Sequence, residues 1–125
     1  MTNKILLWIA GSQVIMELNR KVLEHSGYSV RCAYGIAGAH EWLAESKPDG
    51  IIVEKELPDG NGLVYCCELR KICDAPILFM SSSPSDELIA LQSGANDFLK
   101  KPYRQEIMVA RINVLIKGAC QNNNS

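Results

Sequence analysis

The sequence predicts a doubly wound α/β fold: a five-stranded parallel sheet in the order 2-1-3-4-5, with five helices packed on its two faces. Three observations predict it. Strand-like and helix-like segments alternate five times along 125 residues. The first, third and fourth strand-like runs, KILLWI, GIIVE and ILFMS, are apolar nearly throughout, as strands buried on both faces must be. Each connection between strands is long enough to hold a helix, which gives right-handed crossovers and parallel strands.

The elements follow in order. The first strand occupies residues 4–9. Ser12 stands as a helix cap before a segment carrying Val14, Met16, Leu18, Val22 and Leu23, and Gly27 closes that helix. YSVRCA alternates as a short second strand. Residues 36–46 read as the second helix, stopped by Lys47-Pro48 because the residue before proline avoids the helical conformation. GIIVE is the third strand, and LPDGNG, dense in turn residues, reads as a loop. Residues 62–73 form the third helix, and ILFMS follows Ala75-Pro76 as the fourth strand. Pro84 and Ser85 open a fourth helix that ends at Gly94, and DFLKK is a short fifth strand. The last helix covers residues 103–118, with Ile107, Val109, Ala110, Ile112, Val114 and Leu115 as its apolar positions. QNNNS reads as a disordered polar tail. The expected organisation is one domain over residues 1–118, with 119–125 a tail or the start of a linker.

Composition narrows the function classes. A formal net charge of −1 gives no bulk attraction to nucleic acid or anionic lipid, so DNA contact is expected only through a domain outside this chain. The apolar run over residues 5–10 is too short to cross a membrane and lacks the pattern of a signal peptide, which predicts a cytoplasmic protein with no membrane partner. Cys32, Cys66, Cys67, Cys73 and Cys120 form no Cys-x-x-Cys pair and read as reduced thiols. His25 and His40 have no nucleophile or ligand set beside them and read as surface positions. There is no glycine-rich phosphate loop, catalytic triad or metal-ligand spacing, so no enzyme, cofactor or metal is expected.

In a flavodoxin-like sheet of this order, ligands bind at the carboxyl ends of the strands. The residues delivered there are Ile9 and Ala10, Glu54, Ser81, and Lys101-Pro102. A site needs polar atoms, yet the first strand ends in none.

IIVEKELPDGNG, PILFMSSS and GANDFLKKPY, in that order and spacing, resemble the receiver domains of two-component response regulators, a CheY-like fold. With VARINVLIK after it, the last piece is most similar to receivers of the OmpR/PhoB type, which carry a winged-helix DNA-binding domain. The resemblance implies phosphoryl transfer from a histidine kinase to an aspartate after the third strand. A divalent cation held by an acidic pair at the first strand's end would assist it. A hydroxyl after the fourth strand and a lysine after the fifth would bind the phosphoryl oxygens.

The chain departs from that pattern. Ile9 and Ala10 stand at the acidic pair and cannot bind a cation. Glu54 stands at the phosphoacceptor, one methylene too long. Ser81 matches the switch hydroxyl or is a polar strand end. Lys101 matches the lysine, Pro102 the proline after a cis bond, and Phe98 the aromatic that moves between inward and outward positions. The resemblance therefore implies a pseudo-receiver that works without phosphorylation and regulates transcription through an attached or partner domain. These departures count against a cognate histidine kinase. Glu54 either imitates a phosphorylated aspartate or simply pairs with Lys101, with Ser81 nearby; its charge of −1 is weaker than a phosphoryl group's. Glu56 and Asp59 read as solvated loop acids, and Trp8 as a core aromatic or as a residue that fills space near the pocket.

Receivers of this type pair through the fourth helix, fifth strand and fifth helix. Leu88, Leu91 and Ala110 supply an apolar patch there, and Asp97 with Arg111 keeps one of three charge pairs. Asn96, Glu87 and Ile107 replace members of the other two. A homodimer through this face is expected. The alternative reading is a sensor that binds a small ligand or protein in the discharged pocket.

Overall fold

The computed structural model describes residues 3–123. The chain runs through β1 (Ile5–Ile9), α1 (Gln13–His25), β2 (Ser29–Ala33), α2 (Ile36–Glu45) and β3 (Gly50–Glu54). It continues through β4 (Glu56–Leu57), β5 (Gly60–Asn61), α3 (Gly62–Ile72), β6 (Ile77–Ser81), α4 (Asp86–Gln92), β7 (Asp97–Lys100) and α5 (Gln105–Asn123). β4 and β5 make a small antiparallel ribbon by themselves. The other five strands are parallel, in the order β2-β1-β3-β6-β7, which is the expected 2-1-3-4-5 counted within the sheet.

Alternation along these strands divides the core in two. Leu7, Ile9, Val53 and Phe79 pack with Ala39, Leu69 and Ala90 on the side of α2, α3 and α4. Leu6, Trp8, Ala10, Ile52 and Met80 pack with Met16, Leu23, Met108 and Ile112 on the side of α1 and α5. The full burial of β3 and β6 explains why neither shows a polar–apolar alternation.

Several boundaries differ from the sequence reading. Val14 and Leu18 of α1 face solvent, and the buried stripe is Met16, Asn19 and Leu23. Ser12 occupies the cap position of α1 without a side-chain bond; its carbonyl accepts from the Met16 amide. α4 is shorter than expected at both ends. α5 runs to Asn123, into the stretch read as a tail, and residues 124–125 lie outside the described part. The expected loop contains the β4–β5 ribbon, and its turn carries Asp59. Asp59 is not merely solvated. Its Oδ1 and Oδ2 accept the Ile36 and Ala37 amides at 2.7 and 3.1 Å, capping α2, whose own cap residue is Gly35. Asn61 caps α3 by accepting the Leu63 amide at 2.7 Å.

Two glycines let the ribbon close over the strand ends. A Cβ at Gly11 would lie 2.3 Å from the Glu56 carbonyl oxygen, and one at Gly62 would lie 2.1 Å from that of Glu54. Arg70 of α3 ties the opposite end of α4. Its guanidinium donates to the carbonyls of Cys73, Ala75 and Gly94 and to Asn96 Oδ1, all at 2.8–3.2 Å. Cys32, Cys66, Cys67 and Cys73 are free thiols.

Candidate functional site

Glu54 is the last residue of β3, on the same side of the sheet as Ile52 and Met80. It is only 5% exposed, so its carboxylate needs partners. It has two. Lys101 Nζ, just past β7, donates to Oε1 at 2.6 Å, and the indole Nε1 of Trp8 donates to Oε2 at 2.7 Å. Both oxygens of the acid are thus bonded from opposite flanks.

Trp8 is the residue that the sequence reading missed in this role. It is a core aromatic, completely buried, and also the second donor to Glu54. The available signal was chemical: an indole N–H in a core needs an acceptor, and Glu54 is the acid two positions past its register partner Ile52. Of the next two residues, both fully buried and apolar, Ala10 packs on this face and Ile9 on the other. Tyr103 closes the same side. Its hydroxyl accepts from Asn19 Nδ2 at 2.9 Å, and burial pushes its pKa up to about 12, with the Glu54 charge adding to the rise.

The Ser81 hydroxyl does not bond to this group. As the residue after Met80 it belongs to the other face, with Phe79. Its hydroxyl donates to Asp86 Oδ2 at 2.7 Å and accepts the Ser83 amide at 3.1 Å. Asp86, the first residue of α4, is itself buried and takes a second bond from Lys55 Nζ at 2.9 Å. These donors, Ser81 first and then Lys55, hold the Asp86 carboxyl below its ordinary pKa. Ser81 lies next to Lys101, whose amide donates to its carbonyl at 2.9 Å, but its hydroxyl is spent on Asp86 and not on Glu54.

The remaining predicted residues fall as follows. Phe98 is buried, its ring stacked on Phe79 with centroids 6.3 Å apart, the inward position. The Lys101–Pro102 bond is cis. Leu88 and Leu91 are exposed, as is Ala110. Arg111 pairs with Asp97 at 3.1 Å. Asn96 is spent internally, its Oδ1 accepting from the Ile77 amide as well as Arg70. His25 and His40 are both exposed, and the His40 ring meets Tyr65 edge-on.

The divalent cation implied by the resemblance does not fit these residues. The first strand offers only Ile9 and Ala10, and both Glu54 oxygens already have hydrogen-bond donors. Among the described residues no three His, Cys, Asp or Glu side chains converge to hold a metal. No helix among them is long and apolar enough to cross a membrane.

Comparison with known proteins adds the following. Residues 7–113 match the response regulator receiver domain. The response regulator MprA of Mycobacterium leprae is 33% identical over 90% of this chain and 50% of its own length. The response regulator protein GraR of Staphylococcus haemolyticus is 26% identical over 89% of this chain and 50% of its own. The chain therefore spans about half the length of these curated relatives. A two-component response regulator from Clostridium difficile superposes with a TM-score of 0.86 at 30% identity, covering 91% of this chain and 96% of that one.

Proposed function

The chain belongs to the response regulator receiver domain family, and on that premise we propose that it is an OmpR/PhoB-type receiver that signals without accepting a phosphoryl group. The observation that carries the proposal is the closure of Glu54 by Lys101 and Trp8 beside an apolar strand end. A carboxylate nucleophile must present a free oxygen to phosphorus, and a cation must offset the incoming charge. Here each oxygen is already engaged by a fixed donor, and the side chains at the end of the first strand offer a cation no ligand. The acid works instead as one half of a fixed ion pair. Transcriptional output then runs through a DNA-binding domain outside this chain, by analogy with the regulators to which it is similar. The inward Phe98 and the exposed Leu88, Leu91 and Ala110 support a standing homodimer through α4, β7 and α5. The small-ligand reading has weaker support, because the buried indole fills the crevice that such a ligand would enter.

Incubation with acetyl phosphate or phosphoramidate and Mg²⁺ tests this. The intact mass is expected to stay unchanged. An added phosphoryl mass, lost in Glu54→Gln, would overturn the proposal.

A further inference from the structure

α4 is seven residues long, Asp86–Gln92, too short to hold its own shape in water, so its placement depends on what anchors it. It also carries much of the exposed apolar surface: Leu88, Ile89 and Leu91 are 64%, 50% and 42% exposed. Its buried contacts are Ala90 in the middle and Asp86 at the start. Beyond its end, Gly94 is held by Arg70.

We propose that Asp86 is a built-in latch: it fixes α4, and with it the docking face, by tying the helix to the ends of two strands, a role that Glu54 does not share. The geometry is specific. One carboxylate oxygen, Oδ2, takes the Ser81 hydroxyl at the end of β6 and the Lys55 ammonium just past β3. The Ser81 oxygen in turn accepts the Ser83 amide, which fixes the turn leading into the helix. Ser83 and Pro84 carbonyls then accept the Asp86 and Glu87 amides, so the entry to α4 is bonded at every step. An acid supplied by the helix itself occupies the hydroxyl donor of Ser81 continuously. Glu54 has no bond to Ser81, Ser83 or Asp86; its partners are Trp8 and Lys101 on the other side of the sheet. The inference deepens the proposed function, because the face that α4 presents is the one assigned there to dimerisation.

Amide hydrogen exchange tests the latch independently of dimerisation. Asp86→Ala is expected to speed exchange of the α4 amides by about tenfold or more, the loss of a charge-assisted hydrogen bond, while β3, β6 and α5 keep their protection. Lys55→Met, which leaves Asp86 and Ser81 in place, is expected to do the same to a smaller degree. Glu54→Gln is expected to leave α4 protection as in the wild type. Protection of α4 unchanged in both Asp86→Ala and Lys55→Met overturns the latch, and so does loosening of α4 by Glu54→Gln to the same degree. If Asp86→Ala does not fold, Lys55→Met and Asp86→Asn decide by the same criterion. A monomeric wild type with these exchange results would count against the dimer and leave the latch standing.

Discussion

Lys101 keeps about a third of its side chain in water, whereas Glu54 is almost wholly enclosed. That asymmetry decides what each substitution costs. Lys101→Met strands a buried carboxylate with one remaining donor and is expected to destabilise the fold by about 2–3 kcal/mol, less than for a fully buried pair because the ammonium was partly solvated. Glu54→Gln lets Lys101 turn to solvent and keeps an acceptor for Trp8, so its cost is expected near 1 kcal/mol. Urea unfolding of the singles and the double variant measures both, and additive losses would argue against a direct pair. The pair was legible in the sequence because the topology brings the ends of the third and fifth sheet strands together. The partner of the Ser81 hydroxyl was not legible, because proximity of strand ends says nothing about the face on which a side chain emerges. Counting alternation from Glu54 and Met80, which are register partners, would have separated them.

At the level of elements, strand and helix positions followed from apolar runs, and the errors lie where a distant residue decides. The cap of α2 comes from Asp59, 23 positions away, across the ribbon turn. No local pattern in IAGAHEWLAES announces it. The two amides of α2 hold the Asp59 carboxyl below its usual pKa. Since the folded value is the depressed one, this contribution is complete above the unfolded pKa, near about 4. It is lost as pH falls through the folded value. The amide resonances of Ile36 and Ala37 are expected to titrate together in that acid range, and Asp59→Ala is expected to abolish the titration. Resonances that ignore acidification would refute the cap. The end of α5 was misjudged for a related reason. Gln is a good helix former and Asn a poor but permitted one, and the preceding turns carry the helix through them.

For the molecule as a whole, the question is what its exposed apolar face does. Rim charges such as Asp97 and Arg111 satisfy each other within one chain, so the leucines must supply the affinity of any pairing. Leu91→Asp is expected to place an unpaired charge in the contact and return the protein to monomers. Sedimentation velocity of wild type and variant over a concentration series measures it. A wild type that stays monomeric at high micromolar concentration would remove the dimer. Family and fold were legible in the sequence, but the arrangement of the face depends on side-chain partners, which no pattern encodes.

The sheet that carries the two polar groups also keeps them apart. Glu54, Trp8 and Lys101 answer to α1 and α5, while Ser81 and Asp86 answer to α4. Two links join them: Lys55, bonded through the chain to Glu54, pairs with Asp86 at 2.9 Å, and the Lys101 amide donates to the Ser81 carbonyl at 2.9 Å. In an ordinary relay, one event at one acid must be felt on the far side of the wall. Here the acid of each group is satisfied by its own neighbours. The two polar groups sit like soldered joints on opposite sides of one board, with the paired backbones of β6 and β7 running between them.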